Sequence, residues 1–294
     1  MDGYFICEGL TKRKGNFLLK DVSFKLPAGT VLGVIGVNGC GKTTLLRTIL
    51  GSYRIFSGEG DKGCISLNGK DSERDMKEYR KQLAFIMQET PFSNNIKPVE
   101  AGELYGRYYD GFSMEKYLRL LDEYEVPMKS VISKLSTGET LRQQLAFARS
   151  YDAWLYVMDE PAGNMDTSFR DYFYDEIRRI VSGGASVILS SHLVTELERI
   201  ADNILWIRRK GDESFTEFYG SIDDLKDGYR IFEGDAADIE KLPETAVLGS
   251  RLRENHSEAL ISVKSGKLPQ DTAGKLRYPD LQEIMFYVER GEKK

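Results

Sequence analysis

Nine consecutive residues, Gly36-Val37-Asn38-Gly39-Cys40-Gly41-Lys42-Thr43-Thr44, fit the spacing G-x-x-x-x-G-K-[ST]. Glycines let the backbone curl so that successive N–H groups point inward at a polyphosphate. Lys42 can then reach the β- and γ-phosphates, and Thr43 can offer its hydroxyl to Mg²⁺. Two adjacent carboxylates, Asp159 and Glu160, follow the apolar run 155–158, Gln88 follows 83–87, and His192 follows 187–191. A carboxylate beside a Mg²⁺ stays ionised and holds metal and water, while its neighbour can orient or deprotonate an attacking water. His192 suits a γ-phosphate contact, and Gln88 suits the metal or the attacking water. The chemistry these residue types imply is Mg²⁺-assisted binding and cleavage of a nucleoside triphosphate.

Such residues act together only if strands bring them to one edge of a sheet. The run Val31-Leu32-Gly33-Val34-Ile35 leads into the loop and 45–50 continues it as a helix, whose N-terminus adds a partial positive charge. The runs 83–87, 154–158 and 187–189 are continuously apolar, as parallel strands buried on both faces are. In a parallel α/β sheet ligands gather at the carboxyl ends of the strands, which puts Gln88, Asp159, Glu160 and His192 at the edge that carries Lys42. The segment 166–181 reads as the helix between the two later strands.

Upstream, 4–7 and 22–26 read as short strands, and 65–69 as a strand ending in a turn. From 98 to 131 the pattern is helical and aromatic-rich, with Leu104, Tyr108, Tyr117, Leu118, Leu121 and Tyr124, and reads as an inserted helical subdomain. Residues 135–150 read as a loop and then a helix, with Leu141, Leu145 and Ala148 on one face. A hairpin through Arg209-Lys210-Gly211-Asp212 closes this part. The tail offers strands at 229–232, 246–248 and 259–263, then a helix with Leu281, Ile284, Met285 and Val288 at i, i+3, i+4 and i+7, read as core packing. The expected division is 1–225, with the helical subdomain at about 92–150, and a small α/β domain at 226–294.

Length and an apolar content of 41% leave room for one large domain and a small one. A net charge of −5 argues against a general nucleic-acid or anionic-membrane binder. Cys7, Cys40 and Cys64 have no metal-like spacing, and their odd number fits a reducing interior. The first residues lack the basic and apolar regions of a signal peptide. No apolar run approaches the roughly 18 to 20 residues that span a bilayer, so a membrane function needs a partner that supplies the membrane part.

Leu135-Ser136-Thr137-Gly138-Glu139 supplies a further motif, and with it the chain resembles the ATP-binding subunits of ABC transporters. The parts stand in family order: the phosphate loop 36–44, the Q-loop glutamine Gln88, the signature 135–139, the Walker B strand 155–160, the D-loop Gly163-Asn164-Met165-Asp166, and His192. The resemblance covers about residues 3–225, and ordinary P-loop kinases and GTPases lack the signature. It implies an α/β P-loop NTPase core with a mainly parallel sheet, an N-terminal antiparallel β subdomain, an inserted helical signature subdomain and a small C-terminal α/β domain. It implies ATP and Mg²⁺, with Thr43, Gln88 and Asp159 at the metal, Glu160 activating water and His192 at the γ-phosphate.

Ser136 and the Gly138 backbone at a helix N-terminus make a second anion site. The phosphate loop already surrounds one side of the triphosphate, so this site closes on ATP held by another chain. By resemblance, Ser136, Thr137, Gly138 and Glu139 then act in trans on a second copy or a homologous cassette, and Asp166 couples the two sites. The implied partner is a transmembrane permease subunit, which holds a cytoplasmic chain on the inner face of the cell membrane and uses ATP for transport. The single-cassette layout and the stretch Pro279-Asp280-Leu281-Gln282-Glu283-Ile284 resemble bacitracin-export-type ATPases of bacteria, which implies export.

The chain departs from the family at three places. Thr137 stands where a second glycine is usual, Glu139 where glutamine is usual, and the slot for an aromatic under the adenine ring falls near Lys14, with Phe17 the nearest candidate. The competing expectation is a soluble ABC ATPase acting on nucleic acid or the ribosome. Such relatives carry two cassettes joined by a charged linker, or long inserted coiled coils, and this sequence has neither. A P-loop small-molecule kinase leaves 135–139 and His192 without a role. Cys40 fills a slot for a small residue, but a thiol at a helix N-terminus beside Lys42 is also expected to react with alkylating reagents unless Mg-ATP covers it.

Overall fold

In the computed structural model, which describes residues 4–56, 58–165, 167–192, 194–252, 257–265 and 275–291, the long strands β1 (Tyr4–Lys14) and β2 (Phe17–Pro27) come first and pair antiparallel. Phe5, Cys7 and Leu10 of β1 and Leu19, Val22, Phe24 and Leu26 of β2 are buried, the alternation of a half-buried strand. β3 (Val31–Ile35) is buried at every position and leads into α1 (Lys42–Ile49). β4 (Lys62–Leu67), β5 (Lys70–Asp71), α2 (Met76–Lys81) and β6 (Leu83–Ile86) follow. Then come α3 (Pro98–Tyr105), α4 (Met114–Glu123), α5 (Thr137–Ala148), β7 (Leu155–Asp159), α6 (Thr167–Ser182) and β8 (Ser186–Ser190). After α7 (Val194–Leu197), β9 (Asn203–Lys210) and β10 (Glu213–Ser221) turn through Gly211.

One ten-stranded sheet has the order β5-β4-β1-β2-β10-β9-β3-β8-β7-β6. Its part β9-β3-β8-β7-β6 is parallel, as the continuous apolar runs predict. The expected antiparallel strands are present, and they continue the same sheet because β10 pairs with β2 in parallel. Across the parallel part Val34 stands opposite Ser190 and Ser190 opposite Asp159, so the strand ends fall in line. Ile86 stands opposite Met158, which brings Gln88 to that edge as well.

The helices of residues 98–148 are held by aromatic packing. Phe147 of α5 has the rings of Phe92, Tyr109, Phe112, Tyr117 and Tyr151 between 4.9 and 5.8 Å from its own. Large apolar faces at tilted and edge-on angles make such a cluster a core in its own right.

The chain separates into two compact units, residues 1–192 with 200–219, and residues 193–199 with 220–294. In the second unit, α8 (Ile222–Asp227), β11 (Tyr229–Gly234), α9 (Ala236–Glu240), β12 (Val247–Arg251), β13 (Ser257–Ser262), β14 (Leu276–Arg277) and α10 (Leu281–Gly291) follow in order. The sheet β12-β13-β11-β14 is antiparallel. Leu281 and Ile284 of α10 are fully buried and Val288 nearly so, as the apolar stripe predicts. Glu198, just after α7, accepts from the Leu281 N–H at 2.8 Å and pairs with Lys226 at 2.9 Å, which ties this short segment into the second unit.

Candidate functional site

The phosphate loop is shaped by two glycines that no other residue can replace without a clash. Gly36 has φ +146, and a Cβ there would lie 2.2 Å from the Ile207 carbonyl oxygen and 2.6 Å from Cys40 Sγ. Gly41 has φ +105, and its Cβ would lie 2.6 Å from Cζ of Phe17. Gly41 is also the N-cap of α1, which has no side-chain cap and no acidic residue in its first turn. The first N–H groups of α1 therefore have no side chain of their own to satisfy them, the condition under which a helix start accepts an anion.

A chain of polar contacts ties this loop to the next strand ends. Lys42, only 6% exposed, donates to the Gly36 carbonyl at 2.8 Å and lies 3.8 Å from the Glu160 carboxylate. Thr43 Oγ1 donates to one Asp159 oxygen at 2.8 Å, and Ser190 Oγ donates to the other at 2.6 Å. The Glu160 N–H donates to the Ser190 carbonyl at 3.1 Å and to Ser190 Oγ at 3.0 Å. Glu160 takes φ +52, a left-handed conformation uncommon outside glycine and often found at functional sites. Its second oxygen accepts from the His192 N–H at 3.3 Å and meets His192 Nδ1 directly. One carboxylate therefore stands between the lysine and the histidine.

Lys42, Thr43, Thr44, Asn38, Gly39, Gly41, Gln88, Glu160, His192 and Phe17 line one cavity of about 800 Å³, together with Lys14, Gly163 and Arg209. Gly163 comes close because a Cβ there would lie 3.0 Å from His192 Cε1. Asp159 reaches the cavity through Thr43. Thr43 and Asp159 are hard oxygen donors of the kind Mg²⁺ takes alongside phosphate and water, so the residues present fit that ion. Gly36, Val37 and Cys40 do not line the cavity. Cys40 is fully buried, its sulfur turned to the Gly36 side and packed in the core, so the expected ready alkylation gives way to the steric reading. Ser136, Thr137, Gly138 and Glu139 also lie outside the cavity, at the start of α5. Asp166 lies outside the described residues.

The sequence reading missed two side chains that shape the site. Gln144 of α5, 1% exposed, donates to the Met87 carbonyl and accepts from the Met87 N–H, each at 2.9 Å, so it clamps the residue before Gln88. Arg209 lies just past the point where Ile35 pairs with Trp206, and its Nη1 donates to the Gly39 carbonyl at 3.1 Å. A buried amide in the middle of an apolar helix face was a signal for the first, and nothing local signals the second. Beside the cavity Lys14 donates to the Tyr53 hydroxyl at 2.8 Å, and this bond, with a second from Arg47, pulls that phenol below its ordinary value.

Loop, paired carboxylates, glutamine and histidine on one sheet edge, with a serine-capped helix start standing apart, define a P-loop nucleotide-binding cassette. Residues 19–163 match the family described as ABC transporter. The chain is 33% identical over 196 residues to the ABC-type transporter ATP-binding protein EcsA of Bacillus subtilis (strain 168), covering 65% of this chain and 77% of that one. It is 29% identical over 218 residues to the ABC transporter ATP-binding protein YtrB of the same strain, covering 73% and 70%. Among solved structures, a dimeric post-hydrolysis state of an ATP-binding cassette bound to ADP and Pi matches with a TM-score of 0.62 at 18% identity, over 74% of this chain and 98% of that one, a likeness of fold. The chain belongs to the ABC transporter family, among its ATP-binding proteins, and is an ATPase.

Proposed function

We propose that this chain powers a transmembrane permease by closing head to tail with a second cassette around two ATP molecules and opening after hydrolysis. The observation that carries the reading is the Glu160 carboxylate, held between Lys42 at 3.8 Å and the His192 N–H at 3.3 Å. A γ-phosphate entering here takes over both partners. Lys42 then leaves the Gly36 carbonyl for the phosphates, and His192 turns to the γ-phosphate. Glu160, tethered through its N–H to Ser190, is left facing the attacking water as general base. Thr43, Gln88 and Asp159 would hold Mg²⁺, which when bound neutralises charge on the β- and γ-phosphates.

The signature acts in trans: Ser136 and the Gly138 backbone, outside the chain's own cavity, face the ATP of the partner cassette, and Asp166 couples the two sites. The likeness to a cassette solved as a dimer with ADP and Pi supports this pairing. Gln144 links the signature helix to the residue before Gln88, so movement of α5 reaches the cavity. A groove of about 410 Å³ beside it, lined by Arg47, Arg80, Phe85, Met87 and Glu89, takes a cytoplasmic segment of the permease. No described helix is long and apolar enough to cross a membrane, and the permease holds the chain at the inner membrane face. The direction we assign is export, on the likeness of the C-terminal layout to bacitracin-export-type ATPases.

Glu160→Gln tests the reading. We expect ATP affinity within about twofold of wild type, turnover lowered about a hundredfold or more, and a dimer on gel filtration with ATP. A variant that stays monomeric with ATP and hydrolyses near the wild-type rate would overturn the role of Glu160.

A further inference from the structure

Three side chains that line the nucleotide cavity have no part in the phosphate chemistry: Lys14, Phe17 and Arg209. The Arg209 guanidinium is held at each of its nitrogens. Nε donates to the Gly211 carbonyl at 2.8 Å, Nη1 to the Gly39 carbonyl at 3.1 Å, and Nη2 lies 3.6 Å from the Asp212 carboxylate. Its Cζ sits over the Phe17 ring, 5.6 Å from the centroid, and the side chain keeps 37% of its surface exposed. Phe17 in turn rests against Gly41, so ring and guanidinium are fixed to the loop itself. Lys14 is turned to Tyr53, with Nζ 4.7 Å from that ring's centroid.

We propose that Arg209, backed by Phe17, is the platform on which the purine base stacks, and that the site therefore accepts ATP and GTP with comparable affinity. The inference rests on the reading of this cavity as the nucleotide site. A guanidinium is planar, delocalised and charged at every working pH, and it stacks on aromatic faces. Three anchors hold its plane before the ligand arrives, so little side-chain freedom is lost on binding. Stacking tolerates any base, because every base has a π-face. Telling adenine from guanine needs a group that reads the 6-amino against the 6-oxo position. A free donor would favour the guanine O6 acceptor. The Arg209 nitrogens, however, are engaged by Gly211, Gly39 and Asp212, and Lys14 donates to Tyr53, so the guanidinium offers the base its face and no edge that reads this position.

Calorimetric titration of the full chain with ATP, GTP and inorganic tripolyphosphate separates the possibilities. Wild type should bind ATP and GTP within about threefold of each other. Arg209→Ala should weaken both about tenfold and leave tripolyphosphate unchanged, which also shows the loop intact. Arg209→Lys, which keeps the charge and loses the plane, should behave like the alanine variant. An equal loss for tripolyphosphate would make Arg209 a phosphate contact or a prop for the loop and overturn the platform. Unchanged ATP affinity in Arg209→Ala, or rescue by lysine, would do the same. A wild-type preference for ATP beyond about tenfold would overturn the base tolerance. A wild type that binds none of the three defeats the nucleotide-site reading itself, a separate failure.

Discussion

Two helix starts in this molecule carry the same partial positive charge and use it differently. α1 begins at Gly41 with no side-chain cap and no acid in its first turn. α5 begins at Ser136, whose Oγ accepts from the Glu139 N–H at 3.2 Å, while the Ser136 N–H donates to the Glu139 carboxylate at 2.7 Å. This reciprocal capping box satisfies two donors and sets a negative charge on the positive end of the helix. The first start is left open for a ligand of its own chain, and the second is closed by its own side chains. In the proposed closure a phosphate from a partner would have to displace that cap, and the Glu139 carboxylate would oppose it.

Lys42→Ala breaks the open start and has the largest expected effect. ATP affinity should fall about a hundredfold, because a buried charged donor to the phosphates is lost, and calorimetry would read it. If the two starts meet across a dimer, mixing Lys42→Ala with Ser136→Ala puts both lesions in one composite site and leaves the other intact. ATPase should then recover in part, and absence of recovery at every mixing ratio would count against sharing.

Ser136→Ala alone sharpens the other side of the contrast. It should lower stability by about 1 kcal/mol in denaturant unfolding, through loss of the cap, and leave the ATP affinity of the single chain unchanged. A lowered single-chain affinity would mean that the signature serves its own cavity. Glu139→Gln has the smallest expected effect. The amide keeps an acceptor for the Ser136 N–H while the charge disappears, so ATP-driven dimerisation should strengthen about two- to fivefold. Sedimentation with ATP would read it, and weaker dimerisation would show that the carboxylate helps closure.

Much of the site was legible because its parts are local. The loop 36–44, the acids ending one strand and the histidine ending another are patterns of a few residues each. The apolar runs that placed them on one edge became parallel strands with aligned ends. Other features were visible and not fully read. Ser136-Thr137-Gly138-Glu139 has the spacing of a capping box, which forms at the helix start proposed as an anion site. Cys40 sits beside Lys42 at a helix start, and that local electrostatic argument predicted a reactive thiol. Core packing against the Gly36 side removed the exposure it requires. In the second unit, the short strand β14 and the helix α9 escaped because neither is long enough to show a period.

The sequence by itself determined which chemical groups this protein has and the order in which they come. Glycine sterics, strand hydrophobicity and a nine-residue loop are set by neighbours along the chain. Only the tertiary structure decided what faces what. Arg209 reaches Gly39 and Phe17 because β9 pairs with β3, and Gln144 reaches Met87 because α5 packs on β6. Glu160 stands between Lys42 and His192 because three strands end level in one sheet. Each of these contacts joins residues dozens of positions apart, so the direction of the side chain is set by partners that no local pattern contains.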